Sequence, residues 1–114
     1  MDRASLTISL ILSLVVFTAL VLGQSGDSLR AVEGTVQDSS GAPVNGAIVQ
    51  LKDTKSLQIR SFITRDNGTF LFQGIKKSVE YELKAKHKNK ESKPKLLTIF
   101  DDRQRANIDL KIED

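Results

Sequence analysis

From residue 30 onward the chain is a succession of short runs in which apolar and polar side chains alternate, each run ending in a turn signal. The clearest spans residues 79–87. Val79, Tyr81, Leu83, Ala85 and His87 fall on one side, and Glu80, Glu82, Lys84 and Lys86 on the other. Side chains alternate across a strand with period two, whereas a helix would spread those four charges around its circumference. Residues 47–53 alternate in the same way, with Ala47, Val49 and Leu51 set against Ile48, Gln50 and Lys52. Residues 57–64 begin with Leu57 and Ile59 sharing one side, then lose phase at Phe62-Ile63, as a bulge or a strand covered on both faces would. Runs at 30–37, 69–72, 96–100 and 106–112 complete seven predicted strands.

Turn chemistry separates the runs. Residues 38–43 gather Asp38, Ser39, Ser40, Gly41 and Pro43, and Asp66-Asn67-Gly68 predicts a tight hairpin, because Asn and Gly tolerate positive φ. Residues 73–78 read as a loop, and residues 88–95 as a polar hairpin or open loop. No helical period of useful length occurs. Seven half-apolar strands bury their faces by packing two sheets together, so the pattern predicts an all-β fold, a seven-stranded antiparallel two-sheet sandwich. Its expected core is Val32, Val36, Val49, Leu51, Ile59, Phe70, Phe72, Tyr81, Leu83, Ile108 and Leu110.

The amino end differs in kind. Residues 4–22 hold 14 apolar side chains out of 19 and no charge. A short apolar stretch behind Arg3, ending in Val21-Leu22-Gly23, reads as a secretory signal peptide cleaved between Gly23 and Gln24. The alternative is an uncleaved membrane anchor, since the stretch approaches the ~20 residues that span a bilayer. The expected organisation is a signal segment at 1–23, a flexible lead at 24–29 and one domain at 30–114. That places the protein outside the cytoplasm, secreted or periplasmic.

Composition narrows the chemistry. There is no cysteine, which removes disulfides, thiol nucleophiles and Cys-based metal sites. The one histidine, His87, has no second histidine to join it as a metal ligand, and no serine stands in a glycine-flanked nucleophile elbow. Asp101-Asp102 is an adjacent pair, which suits a turn cap better than glycosidase carboxylates that must straddle a sugar. No catalytic residue, metal or cofactor is expected, and the protein is not expected to be an enzyme. Net charge is +3, and the excess is local: residues 76–95 carry eight lysines against Glu80, Glu82 and Glu91. Lys84, Lys86, Lys88, Lys90, Lys93 and Lys95 are the candidate anion-binding residues. Their bland role is to protect an edge strand; their functional role would be contact with anionic lipid headgroups, acidic envelope polymer or an acidic protein face. Export argues against nucleic acid as the partner. Without tryptophan, only Phe62 and Phe100 remain as rings on which a sugar could stack.

Three motifs in order carry a resemblance. Gly34-Thr35-Val36, then Gly41-Ala42-Pro43-Val44-Asn45-Gly46-Ala47-Ile48-Val49, resembles the opening of a carboxypeptidase regulatory-like domain. Thr64-Arg65-Asp66-Asn67-Gly68-Thr69-Phe70 and Tyr81-Glu82-Leu83 match its later motifs. The resemblance covers about residues 31–112 and implies a transthyretin-like sandwich grouped with carbohydrate-binding-like folds. Two departures lie on the lysine-rich side: Glu80 stands where the family usually has glycine, and Lys88-Asn89-Lys90 replaces a gly-tyr pair. Together these readings give a non-catalytic accessory domain that contacts an unidentified protein. The alternative is a weak carbohydrate- or polyanion-binding module that uses residues 84–95. Amino-terminal sequencing of the exported protein should begin at Gln24; a chain that still carries residues 1–23 in the membrane fraction would establish the anchor instead.

Overall fold

A computed structural model describes residues 28–113. The expected signal segment, and the lead as far as Asp27, lie outside the described residues. Nine strands occur among those described: β1 Leu29–Gln37, β2 Ile48–Asp53, β3 Ile59–Ile63, β4 Thr69–Lys76, β5 Tyr81–His87, β6 Lys90–Glu91, β7 Lys95–Leu97, β8 Arg105–Asn107 and β9 Leu110–Lys111. They form two sheets. In one, β4 lies beside β1, and β8 and β9 pair with the other edge of β1; in the other the order is β3-β2-β5-β6, with β7 also on β5.

The two-sheet sandwich is as expected, but it is not wholly antiparallel. β8 and β9 run parallel to β1. The chain leaves β7 in the second sheet, crosses through residues 98–104, and re-enters the first sheet alongside β1. Alternation of apolar residues reports a buried face and is silent about strand direction, so this crossover left no mark in the pattern. The single run expected at 106–112 is two strands for a steric reason. Ile108 turns its carbonyl onto Gly34, and the Asp109 carboxylate accepts the Thr35 amide (Oδ1, 2.9 Å) where a ladder partner would stand. Hydrogen bonds from Ile108 N to Glu33 O (2.8 Å) and from Ile112 N to Gln37 O (2.7 Å) hold the two pieces to β1.

The expected hairpin at Asp66-Asn67-Gly68 is a turn between sheets. Gly68 N donates to Arg65 O at 2.8 Å, and Gly68 adopts φ 74° as its sequence requires. Yet β3 then pairs with β2 and β4 with β1, so the flanking strands diverge. β4 also continues through the expected loop at 73–76, with its register against β1 shifting between Arg30 and Val32 and Gly74 at φ 67°.

Of the expected core, ten residues are buried and Ile59 is not; it is 53% exposed. The reason lies in the preceding turn. Asp53 Oδ1 accepts the amides of Lys55 and Ser56, Leu57 takes φ 66°, and the chain re-enters the sheet with its parity reversed. Phe62 therefore packs inward against the core, and β3 is a regular strand without the bulge that the blurred phase suggested. Val44, Ala47, Ile75, Ala85, Leu97, Ala106 and Ile112 complete the core. Buried hydroxyls fasten the loops. Thr64 Oγ1 donates to Val44 O (2.6 Å) and accepts from Ala47 N (2.9 Å), and Ser92 Oγ accepts from Ala85 N (2.8 Å).

The crossover is clamped by Arg30, only 2% exposed, whose guanidinium donates to the carbonyls of Asp101 and Thr98. Gln104 Nε2 donates to Leu29 O at 2.7 Å from the same loop. The Asp101 carboxylate in turn accepts from Arg103 (Nη2 to Oδ2, 2.7 Å). That hydrogen bond, the Arg103 amide and the charges of Arg103 and Arg30 hold the carboxyl at about 2, below its ordinary 3.8.

Two predictions follow from these contacts. A Cβ at residue 34 would sit 1.8 Å from the Ile108 carbonyl oxygen. Gly34→Ala should therefore cost at least about 3 kcal/mol in urea unfolding, because backbone rather than a flexible side chain must move. A loss below about 1 kcal/mol would mean the two strands can separate freely. The Asp101 carboxyl is depressed on folding, so its contribution is complete above about pH 4 and is lost as pH falls through about 2. Arg103→Ala should return that carboxyl toward 3.8 in an NMR titration.

Candidate functional site

The lysine tract occupies the hairpin from β5 to β6 and the segment that follows. Leu83 and Ala85 face inward, so Lys84 and Lys86 project outward from β5. Glu91 on β6 stands opposite Lys86 and takes both lysines, Lys84 Nζ at 2.7 Å and Lys86 Nζ at 3.7 Å. The Lys84 hydrogen bond, together with the two positive charges, lowers the Glu91 carboxyl. Lys93 lies 3.8 Å from Glu113, and Lys95 donates to the Asp109 carbonyl. Lys88 forms the turn at φ 56°, a region that favours glycine, at the position where the family's gly-tyr pair is missing. Lys84, Lys86, Lys93 and Lys95 are thus engaged by groups of this chain, and they tie β6, β7 and the carboxyl end to the sandwich. Exposed ion pairs of this kind each contribute at most about 1 kcal/mol.

The two candidate stacking rings are not brought together. Phe62 lies on β3, at one edge of the second sheet, while Phe100 follows β7 beyond β5 and is 89% exposed. Phe62 meets Phe72 edge-on at 6.1 Å between centroids, and Arg65 lies over its ring at 6.0 Å. Arg60 stacks on Phe72 at 5.6 Å and donates to Gln73 O at 2.9 Å. Arg60, Phe62, Arg65 and Gln73 line an open cleft of about 540 Å³ between the edges of β3 and β4, together with Glu33, which Arg105 holds at 3.1 Å. Guanidinium groups on aromatic faces stabilise the cleft wall by cation–π attraction.

His87, half-buried at the end of β5, lines a shallow recess with Asp38, Asn45, Lys88, Lys90 and Ile112. Asp38 is spent on its own turn, where its carboxylate accepts from Ser40 Oγ, Ser40 N and Ala42 N and is lowered by those bonds. Asp66 accepts from Asn45 Nδ2 at 3.0 Å. Among the described residues no group of three or more His, Asp or Glu side chains is placed to hold a metal ion.

One surface has no counterpart in the sequence expectations. The outer face of β2 and β3 presents Ile48, Ile59 and Ile63, which are 43%, 53% and 66% exposed. Ile48 and Ile63 are direct register partners, and Ile59 follows two positions along β3 beyond Ser61. Ile48 breaks an otherwise polar row with Gln50 and Lys52, and that isoleucine was the legible signal. Ile59 and Ile63 stayed hidden because the turn at 53–58 inverts the strand.

Comparison with known proteins agrees with this architecture. The major pilin subunit BcpA of Bacillus cereus is similar at 16% identity and a TM-score of 0.60, over 75% of this chain and 30% of that one. The pilus 2b backbone protein of group B streptococcus is similar at 15% identity and a TM-score of 0.56, over 75% and 41%. Catechol 1,2-dioxygenase of Acinetobacter sp. ADP1 is similar at 11% identity and a TM-score of 0.59, over 79% and 54%. The chain thus spans only about a third to a half of these proteins, and at such identities the likeness is one of fold. No curated protein matches the chain. Residues 31–112 match the carboxypeptidase regulatory-like domain across nearly the whole described sandwich, and the chain belongs to that family.

Proposed function

We propose that the protein is an exported, non-catalytic accessory domain that works by docking on another protein through the outer face of β2 and β3. The observation that carries this reading is the row of exposed isoleucines at a sheet edge. Apolar side chains grouped on a surface mark contact sites, whereas single ones are ordinary. The chemistry-bearing groups support it by default of other use: Arg30, Asp101 and Arg103 hold the crossover, and Asp38 and Asp53 close turns. Lys84 and Lys86 are taken by Glu91. Export rests on the apolar stretch at residues 4–22.

A photoreactive group introduced at position 48 in the exporting host should trap a protein partner. Ile63→Lys should abolish that product, and replacing Lys84, Lys86, Lys88 and Lys90 with glutamine should leave it intact. The competing reading gives the opposite result: retention on heparin or anionic vesicles at ~0.15 M salt, lost in the glutamine variant, with nothing trapped at position 48.

A further inference from the structure

We infer that the partner docked on β3 is a second copy of this chain, joined by antiparallel pairing of the two β3 strands about a two-fold axis through Ser61. The inference rests on the docking reading above and specifies its partner. It begins from the sheet edges. Unpaired strand edges are templates for another chain, and folded proteins blunt them with bulges, short strands, lysine or proline. Three of the edges here are blunted. β4 carries the register shift and Gly74 at φ 67°, and its Gln73 carbonyl is taken by Arg60. β8 and β9 have three and two residues, with the chain bent away between them. β6 and β7 are equally short, lysine-bearing and separated by Pro94.

β3 has no bulge, lysine or proline, and its one blunting feature is the inward-pointing charge of Arg60, which Phe72 and the Gln73 carbonyl hold. Its five residues keep an unbroken register with β2. Asp53 N donates to Gln58 O, and Thr64 N donates to Ala47 O. Even-numbered residues therefore address β2, and Ile59, Ser61 and Ile63 aim their amides and carbonyls away from the sheet. The same three side chains lie on its outer face, because strand backbone and side chains alternate together.

This edge is complementary to itself in one register. With the axis at Ser61, Ile59 faces Ile63 of the second copy, Ser61 faces its own counterpart, and Ile63 faces Ile59. Each of these is a hydrogen-bonded pair that exchanges two backbone bonds, so every outward group of the strand is satisfied. On the inner face Arg60 stands opposite Phe62, and beyond the strand Arg65 stands opposite Leu57, so no charge meets its like. An axis at residue 60 would set Arg60 against itself, and one at residue 62 would leave Ile59 opposite no residue of β3. The two-fold contact is closed, and the second sheet runs through both molecules.

The test uses the protein as its exporting host processes it. Sedimentation from about 10 μM to about 1 mM should show the mass doubling with concentration. Ile59→Lys with Ile63→Lys should raise the dissociation constant about tenfold or more, since each lysine then opposes another across the axis. Both side chains are more than half exposed, so the thermal midpoint should stay unchanged. The chain has no cysteine of its own, so Ser61→Cys provides a single thiol on the axis. In air it should form a disulfide-linked pair faster than Lys55→Cys, whose thiol would sit on an exposed turn. Two results would overturn self-pairing: equal cross-linking rates with a mass that stays monomeric, or a dimer that survives both lysine substitutions. If a different protein is then trapped at position 48, docking stands and self-pairing fails. If nothing is trapped either, both fail.

Discussion

At residue 34 the carbonyl of Ile108 occupies the space in which any other amino acid would hold its Cβ. That approach decides how the first sheet is assembled. β1 takes β4 on one side and, on the other, a parallel partner in two pieces whose break falls beside Gly34. The same strand carries the corner between the sheets, since Val36 N donates to Gly68 O and Val44 N to Val36 O. The parallel strands, the intersheet turn and the entry to β2 are all referred to one stretch of backbone. A side chain at residue 34 would disturb them together.

Charge in this domain serves mainly to fix loops whose backbone no ladder reaches. Arg30 is buried because it replaces missing strand partners for the crossover: two carbonyls of residues 98–101 receive its protons. A buried guanidinium is tolerated only with such acceptors at hand. At the opposite edge, Glu91 gathers two lysines over a strand two residues long. The lysine-rich side, where the chain departs from its family's motifs, is accordingly a reinforced edge. β3, which has no such reinforcement, presents isoleucine.

The architecture was legible wherever a strand has one wet face. β5 alternates without error because solvent lies on one side and core on the other along its whole length, and Tyr81, Leu83 and Ala85 are buried as their period requires. The family motifs were legible because each encodes a backbone need, such as positive φ at Gly68. Three things were not. The parallel pairing of β8 and β9 depends on a crossover that apolar period does not record. The split at Ile108 depends on contact with a residue more than 70 positions away. The outward turn of Ile59 and Ile63 depends on an Asp53-capped turn that reverses the strand's phase, and the apolar surface was hidden with it. Phe62 turns toward the core for the same reason.

The crossover also bears on when this chain can fold. Arg30 finds its acceptors 68 and 71 residues downstream, and Leu29 receives its bond from a glutamine 75 residues away. Contacts so distant along the sequence are closed late, because the loop entropy must be overcome before they return any stabilisation. The first strand of the sandwich therefore waits for the last. Until nearly the whole domain has been synthesised, β1 lacks one of its two neighbours, and the first sheet stays open on that side.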